Sequence, residues 1–228
     1  MAFKQDEYEQ GDPYLGENPN SRFFKERLKI NLKLVKSVKG KRLLDIACGR
    51  GYYSNEFSKY FNVDAIDLSR KAIEFAKSKF PNVEFKRGNC YSMPYRNGLY
   101  DIVVCNNIIE HIKYPKKLLK EANRVLKKRG YILISTPNKY RLTNIINIIL
   151  NMPLKMASKY HFKEYSHSEI KKILKSNNFT LIKMRYIHTI SPKKDLKSRL
   201  FNFVNSLLIM SRIRLFSSTF FYLCRKNN

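Results

Sequence analysis

A loop of small residues follows an apolar run early in the chain. The segment LLDIACGRGYYSNEF, residues 43–57, places Asp45 before Gly49-Arg50-Gly51, and a helix-like pattern comes after the loop. Glycines between a strand and a helix let the backbone approach a nucleotide closely. An ordinary strand-to-helix turn has a similar composition, so the loop alone does not identify its ligand.

Two carboxylates near this loop restrict which nucleotide fits. Asp67 ends the next strand-like run, where a carboxylate can accept both ribose hydroxyls of a nucleoside. Asp45 would repel a pyrophosphate, and Ser54 stands where the dinucleotide fingerprint has its third glycine. A ligand with an ammonium and a sulfonium would instead be attracted to Asp45. An NAD-dependent oxidoreductase stays an alternative that selective NAD binding would support.

Two histidines are the candidates for acid–base chemistry. His111 lies in the segment IIEHI, and His161 lies about fifty residues further along the chain. Histidine changes charge near neutral pH, so either side chain can accept a proton from a reacting group. The alternatives are that His111 packs locally at a helix start and that His161 lies on a surface loop.

The elements that position these residues alternate along the chain. An amphipathic helix is predicted over 21–38, and further helices are predicted over 51–60, 69–79 and 115–128. Strand-like runs occupy 42–47, 62–67, 82–88, 100–106 and 131–136. Two more strands are expected at 180–190 and 218–226, with a basic, apolar helical stretch at 193–216 between them. Such alternation predicts a parallel sheet with helices on both faces.

Several segments together resemble a known family. LLDIACGRG, AIDLS, GNCYSMPY, YDIVVCNNIIEHI and LKKRGYILISTPN follow one another over roughly residues 40–140 and resemble the successive motifs of class I S-adenosylmethionine-dependent methyltransferases. The resemblance implies an α/β, Rossmann-like three-layer sandwich. Its seven-stranded, mostly parallel sheet would carry one antiparallel strand in a C-terminal hairpin. It also implies an enzyme that uses S-adenosylmethionine.

The resemblance assigns ten residues to the cofactor: Asp45, Ala47, Cys48, Gly49, Gly51, Asp67, Leu68, Asn89, Cys90 and Asn106. The two glycines would let the backbone approach the cofactor, and Asp45 and Asn106 would lie at its methionine end. Asp67 would hold the ribose, with Leu68, Asn89 and Cys90 around the adenine. Two positions depart from the family pattern, since Ala47 replaces the usual first glycine and Asn89 replaces the usual aspartate. The amide oxygen of Asn89 can still accept a hydrogen bond from adenine.

The resemblance also bears on catalysis and on metals. It implies that His111 faces the acceptor, so His111 is the first candidate for a catalytic residue and His161 the second. Some RNA and quinone-ring methyltransferases bind a metal through an E-x-x-E-H motif at this place. Here Asn107 replaces the first glutamate before Glu110 and His111. Because an amide is a poorer ligand than a carboxylate for a hard divalent cation, we expect no metal.

The charge distribution suggests what the acceptor is. The chain has a formal net charge of +27, and residues 122–228 contain 22 Lys and Arg against three acids. This bias indicates an anionic partner or a lysine-rich composition without functional meaning. Segments 140–160 and 193–216 are apolar and basic, as in interfacial helices, although a packed lid would look similar.

We therefore expect methyl transfer to oxygen of a small-molecule or lipid- or glycan-linked acceptor, with an anionic membrane surface as a possible partner. An RNA methyltransferase and a non-catalytic cofactor-binding module are the alternatives, and nucleic acid is the less expected partner because the basic residues interleave with long aliphatic runs.

The organisation expected from these patterns is a single domain over 1–228. An N-terminal helical cap would span 1–40, the cofactor-binding core 41–139, an acceptor-side lid and helix 140–178, and the hairpin with its helical insertion 179–228. The four cysteines are scattered, the first ten residues contain no apolar stretch, and no apolar run is long enough to span a bilayer. These features predict a cytoplasmic protein, or one peripheral to a membrane.

Overall fold

The computed structural model describes Tyr14 and residues 17–158, 160–188, 199, 202–204, 206–207 and 217–228. Within the helical stretch predicted at 193–216, the structure describes only 199, 202–204 and 206–207, and these residues are helical. Within the described residues, no helix is long and apolar enough to cross a bilayer.

Seven strands and six helices make up the described fold. The strands are β1 (Arg42–Ile46), β2 (Asn62–Asp67), β3 (Glu84–Arg87), β4 (Tyr100–Asn106), β5 (Leu126–Pro137), β6 (Phe179–Ile187) and β7 (Thr219–Lys226). The helices are α1 (Arg22–Val35), α2 (Tyr52–Ser58), α3 (Arg70–Lys79), α4 (Pro115–Val125), α5 (Leu142–Ile149) and α6 (His167–Lys175). The predicted strands and the early helices are confirmed, with differences mainly at their ends.

The strands form one sheet in the order β3-β2-β1-β4-β5-β7-β6. β1 to β5 pair in parallel, and β7 pairs antiparallel with both β5 and β6. The predicted fold class is therefore confirmed, including the antiparallel strand in the C-terminal hairpin. The strand order reverses between β1 and β4, and ligands of open parallel sheets bind in the crevice at the C-terminal ends of such strands.

Both faces of the sheet are covered by helices, as a parallel sheet requires. Neighbouring strand residues alternate between two apolar clusters, because successive side chains point to opposite faces. Leu44 and Val103 pack in one cluster with α4 and α6, while Leu43 and Ile102 pack in the other with α1, α2 and α3. The result is three layers, with polar side chains collected at the C-terminal edge of the strands.

The helix predicted over 115–128 ends earlier, at Val125. Leu126 has an extended backbone (ψ 137°) and pairs with Tyr100, so β5 begins there. Leu126 is fully buried, which satisfies the apolar spacing of a helix and of a strand equally well. Lys127 then forms an ion pair of 2.7 Å with Asp101. The apolar spacing alone did not distinguish the two structures, and strand pairing decided between them.

Candidate active site

A cavity of about 640 Å³ opens at the C-terminal edge of β1, β2 and β4. This volume lies within the roughly 300–1,000 Å³ of small-molecule sites. Nine of the ten predicted cofactor residues line it: Asp45, Ala47, Cys48, Gly49, Asp67, Leu68, Asn89, Cys90 and Asn106. His111 lines it too, whereas Gly51 and His161 do not belong to its lining. The fold thus gathers residues that are more than sixty positions apart in sequence.

Asp67 is buried, and both its oxygens accept hydrogen bonds. Oδ2 accepts from the Gly49 N–H (2.9 Å) and from the Tyr14 hydroxyl (3.0 Å), and Oδ1 accepts from the Ser69 N–H (2.9 Å). Burial raises the pKa of Asp67 although these hydrogen bonds lower it. The Tyr14 hydroxyl therefore lies on the carboxylate that was predicted to hold the ribose.

Asp45 is also buried and contacts the side chain of Ser54. The Ser54 hydroxyl donates to Oδ2 at 2.7 Å. Burial is the main cause that raises the pKa of Asp45 to about 7, opposed by the Ser54 hydrogen bond and reinforced by the charge of Asp67. Asp45 is therefore partly protonated near neutral pH. A positively charged ligand at this place favours the ionised form.

The loop after β1 depends on left-handed backbone conformations. Ala47 (φ 59°), Gly49 (φ 55°) and Gly51 (φ 79°) all lie in this region. A Cβ at Gly49 would come within 2.9 Å of the Tyr14 ring, and one at Gly51 would come within 2.6 Å of Phe85. Gly49 borders the cavity, whereas Gly51 allows the loop to pack against Phe85. Ala47 accepts a conformation that glycine adopts with less strain.

The remaining predicted cofactor residues have local partners. Asn89 Oδ1 accepts from the Tyr91 N–H at 2.9 Å, which leaves its second lone pair for a ligand donor. Burial raises the pKa of Cys90 to about 12, so its thiol is uncharged. Asn106 Oδ1 accepts from Ser135 at 2.8 Å, and Asn106 Nδ2 is buried without a hydrogen-bond partner among the described residues. An unpaired buried donor beside a cavity is suited to a ligand oxygen.

His111 follows β4 and borders the cavity. Its Nδ1 lies 3.1 Å from the Tyr160 carbonyl, to which it donates in the neutral ring. In that tautomer the lone pair belongs to Nε2. Burial, with a further contribution from His161, lowers the pKa of His111 to about 4. The ring is therefore uncharged at neutral pH, as a proton acceptor must be.

His161 lies directly behind His111, away from the cavity lining. The two ring centroids are 4.8 Å apart and nearly perpendicular. His161 Nδ1 lies 2.8 Å from Glu164 Oε1, and both side chains are buried. Arg141 and the Ala157 N–H also donate to Glu164. Burial alone would raise the pKa of Glu164, but the hydrogen bonds from His161, Ala157 and Arg141 lower it overall. His161 is thus buried against His111 and does not line the cavity in this structure.

Glu110, His111 and His161 form a compact group of polar side chains. Their potential ligand atoms all lie within 4.8 Å of one another. Glu110 Oε2 accepts from Thr136 at 3.0 Å, while Oε1 is buried without a partner among the described residues. Burial raises the pKa of Glu110 to about 7. Asn107 does not add a ligand on the same terms, because its Oδ1 accepts from Arg27 at 2.6 Å.

The structure adds cavity residues that the sequence analysis did not select. Tyr14, Glu17, Arg27 and Tyr53 line the cavity from the N-terminal segment, α1 and α2. Arg27 follows Phe24 by three positions on the amphipathic helix α1, a spacing that could have indicated a cation beside the buried face of this helix. No pattern marked Tyr14, because its place depends on a distant contact with Asp67.

Comparisons with known proteins agree with this architecture. Residues 20–184 match the family described as "Methyltransferase domain". A Mycolicibacterium smegmatis protein named "Probable S-adenosylmethionine-dependent methyltransferase/" is 24% identical over 69% of this chain and 59% of its own length. The Coxiella burnetii "Ubiquinone biosynthesis O-methyltransferase" is 25% identical over 70% of this chain and 73% of its own. The chain thus spans less than two thirds of the first of these relatives.

A solved structure is similar in fold. It is a "SAM dependent methyltransferase" from Archaeoglobus fulgidus, with a TM-score of 0.66, 21% identity and coverage of 90% of this chain and 93% of its own. At this identity the likeness shows the fold alone.

Proposed function

Because this chain belongs to the methyltransferase domain family, we propose that it transfers a methyl group from S-adenosylmethionine to an oxygen of a small-molecule or lipid-linked acceptor. One observation carries the proposal, namely that nine predicted cofactor residues and His111 open into the same cavity. Displacement at a methyl group needs the attacking atom in line with the leaving sulfur. A cavity that takes both molecules provides this alignment.

The residues present fit the cofactor. S-adenosylmethionine supplies the activated methyl group as a sulfonium. Asp67 would exchange the Tyr14 hydroxyl for ribose hydroxyls, and Asp45 would offer a carboxylate to the positive charge of the methionine end. The buried Nδ2 of Asn106, a donor without a partner among the described residues, would be available to a cofactor oxygen.

His111 accepts the proton of a hydroxyl acceptor in this proposal. The Tyr160 carbonyl fixes the ring through Nδ1, which directs Nε2 to the proton it takes up. The ring is uncharged and can therefore accept a proton. However, its pKa of about 4 makes the unliganded ring a weak base. Positioning of the two reactants therefore contributes more than proton transfer. His161 supports His111 from behind rather than contacting the acceptor.

An apolar acceptor is supported by the surface beside the cavity. Phe162 lines the cavity and is 44% exposed. The nearby segment of α5 and the loop after it exposes Ile149 (76%), Leu150 (62%) and Met156 (52%). Exposed apolar side chains with neighbouring lysines are typical of a surface that meets lipid. RNA is the alternative acceptor that the positive charge suggests.

Oxygen as the methylated atom is supported by relatives that are named as O-methyltransferases. The Coxiella burnetii protein is named as an O-methyltransferase. We further propose that no metal takes part, because Asn107 stands in place of the first glutamate of the E-x-x-E-H motif and its Oδ1 accepts a hydrogen bond from Arg27. Dialysis against EDTA is then expected to leave cofactor affinity and turnover unchanged. Restoration of turnover by added Mg²⁺ or Zn²⁺ would contradict this part of the proposal.

Calorimetric titration with S-adenosylmethionine, S-adenosylhomocysteine and NAD tests the cofactor. The first two are expected to bind and NAD is not. Asp67→Ala should weaken their binding at least about tenfold, because a charged hydrogen-bond acceptor is lost. Asp64→Ala is the matched control, since Asp64 lies on the same strand and pairs with Arg42 outside the cavity lining. Failure of both sulfur nucleosides to bind would leave the fold without the proposed activity.

Transfer from labelled S-adenosylmethionine to hydroxylated aromatic, polyprenyl and RNA acceptors tests the reaction. His111→Ala should lower turnover about 10²-fold or more while cofactor affinity changes little. Unchanged turnover would remove His111 from the base role. Cofactor binding without transfer to any acceptor would favour the non-catalytic module.

Flotation with anionic phosphatidylglycerol vesicles tests whether the exposed apolar and basic surface binds lipid. The absence of vesicle binding at low salt would exclude this surface as a membrane contact.

A further inference from the structure

Glu164 is a buried carboxylate that lies behind the wall of the cavity and bonds to three groups. Its Oε1 accepts from the Ala157 N–H at 2.5 Å and lies 2.8 Å from His161 Nδ1. Its Oε2 accepts from the guanidinium of Arg141. The pKa of Glu164 is lowered, so the carboxylate is ionised and His161 Nδ1 is the donor in their contact. Hydrogen bonds to an ionised group are the strong ones, which makes Glu164 a firm attachment point.

Arg141 connects Glu164 to the end of the sheet. Besides its bond to the carboxylate, Arg141 donates to the Asn138 carbonyl at 3.3 Å and to the Lys155 carbonyl. Asn138 directly follows β5 and forms a β-bridge with Tyr165. Because a guanidinium presents several donors in a rigid plane, one side chain can fix all three acceptors. The position of Glu164 is therefore set relative to the C-terminal end of β5.

The turn of residues 160–164 is held against the segment that follows β4. The N–H groups of Phe162 and Lys163 donate to the Glu110 carbonyl at 2.7 and 3.1 Å. Glu110 is the residue directly before His111. The turn thus has one attachment on the backbone beside His111 and another through the side chain of Glu164.

Two groups of this turn contact His111. The Tyr160 carbonyl lies 3.1 Å from His111 Nδ1, and the His161 ring is nearly perpendicular to that of His111 with 4.8 Å between the centroids. A free neutral histidine ring prefers its proton on Nε2, whereas a carbonyl at Nδ1 keeps the proton there. Nε2 of His111 then has a lone pair, as a proton acceptor requires. A His111 ring protonated on Nε2 could not take up a proton at that atom.

We propose that Glu164 is a positioning residue, whose carboxylate holds residues 160–164 so that Tyr160 and His161 fix the orientation and the tautomer of His111. Glu164 does not line the cavity, so it acts through the turn and not on the acceptor or the cofactor. The inference rests on the proposed function, in which His111 is the base. It extends the acceptor side of the site to a carboxylate behind the cavity wall.

Nitrogen NMR of the histidine side chains in the unliganded full chain tests this positioning directly. The chain has four histidines, and the spectrum of His111→Ala assigns the signals of His111. At neutral pH the wild type should carry the His111 proton on Nδ1. Glu164→Gln replaces the ionised acceptor by a neutral amide that is itself a donor, and it should move most of this proton to Nε2. Unchanged His111 signals in Glu164→Gln would overturn the proposal.

Turnover tests whether the positioning serves the reaction, using whichever hydroxylated aromatic or polyprenyl acceptor the wild type methylates. Glu164→Gln should lower kcat about 10–100-fold, while the affinity for S-adenosylhomocysteine stays within about twofold. In the His111→Ala background the same change should lower kcat less than about threefold, because the ring through which Glu164 acts is absent. Unchanged kcat in Glu164→Gln, or equal losses in the two backgrounds, would overturn an action through His111.

Glu169→Gln is the matched control for a general loosening of this region. The Glu169 carboxylate pairs with Lys163 at 2.8 Å and accepts from the Ser166 N–H at 2.8 Å, so it stabilises the neighbouring backbone without bonding to the partners of Glu164. The His111 signals and kcat of this variant should be those of the wild type. A proton shift as large as that in Glu164→Gln would overturn a specific role of Glu164.

Glu164→Asp serves if Glu164→Gln fails to fold. It keeps the charge but shortens the side chain by one methylene group, so the carboxylate cannot reach Ala157, His161 and Arg141 together. A smaller shift of the His111 proton towards Nε2 is expected. Wild-type His111 signals in Glu164→Asp would then overturn the proposal.

The two measurements separate this inference from the proposed function. If the wild type methylates none of the acceptors, or if His111→Ala keeps wild-type turnover, the proposed role of His111 fails. The NMR spectra then decide on Glu164 alone, because they need neither cofactor nor acceptor. A shift of the His111 proton in Glu164→Gln would support the positioning, and an unchanged spectrum would overturn it.

Discussion

At the scale of single residues, the cavity depends on how each carboxylate is already bonded. Asp67 accepts three hydrogen bonds, one of them from Tyr14, which lies 53 positions earlier in the chain. The predicted ribose contact needs the same carboxylate oxygens. The N-terminal segment and the cofactor are therefore expected to compete for Asp67, and Tyr14 must move when the ribose binds.

Replacing Tyr14 by Phe tests this competition. The variant keeps the ring against Gly49 and removes the hydroxyl that donates to Asp67. We expect S-adenosylmethionine to bind about three- to tenfold more tightly, because a hydrogen bond worth about 1 kcal/mol no longer has to be broken. Calorimetry on the two proteins measures the difference. Weaker binding would mean that the Tyr14 hydroxyl contacts the cofactor instead of competing with it.

At the scale of elements, the turn between β1 and α2 sets the cavity floor. Gly51 is the N-cap residue of α2, has a left-handed backbone conformation and packs against Phe85 of β3. The family resemblance implied that both glycines of the loop let the backbone approach the cofactor. In the structure Gly49 borders the cavity and Gly51 joins the loop to the sheet, so the two glycines serve different contacts.

Gly51→Ala is expected to destabilise the fold. The new Cβ would meet Phe85 Cζ at 2.6 Å in a backbone conformation of φ 79°. Strain and overpacking together should cost about 2–4 kcal/mol of unfolding free energy. Gly98→Ala is the matched control, because φ there is 61° and no atom lies within 4 Å of the added Cβ. Urea unfolding of both variants measures the costs, and equal costs would contradict the packing role of Gly51.

At the scale of the whole molecule, the sheet concentrates buried ionisable groups at one edge. Burial raises the pKa of Asp45 and of Glu110 to about 7 and lowers that of His111 to about 4. Between pH 4.5 and 6.5, the folded state holds extra protons on Asp45 and Glu110, while the unfolded state holds one more on His111. Burial also raises the pKa of Asp67 and lowers that of His167, so Asp67 adds to the first effect and His167 to the second. The raised acids outweigh the two histidines over this range.

The unfolding free energy of the unliganded protein should therefore fall as the pH rises from about 5 to 7.5. Each acid with a raised pKa lowers the unfolding free energy by on the order of 3 kcal/mol as the pH rises from its unfolded-state pKa to its folded-state pKa. His111 opposes part of this decrease. Urea unfolding at constant salt across this range measures the slope. Asp45→Asn should flatten it, and a slope that is unchanged in Asp45→Asn would show that other groups cause it.

The sequence by itself determined the order of the elements and which residues would gather at one edge of the sheet. Asp45, Gly49 and Asp67 lie at or just after the C-terminal ends of strands, and parallel strands end at one edge, so local pattern was enough to bring them together. Asn106 was added by the family resemblance. Periodicity failed at Leu126, because a buried leucine fits a helix and a strand equally well. Pairing with Tyr100 decided that boundary.

Tertiary structure alone decided which groups reach the cavity from outside this pattern. Tyr14 and Arg27 enter through contacts with Asp67 and Asn107, which are 53 and 80 positions away in sequence. His161 was predicted as a second base, yet its place behind His111 depends on its hydrogen bond to Glu164. Spacing along a chain encodes which residues share a face of one element. Contacts between distant elements depend on how the completed sheet packs its helices and loops.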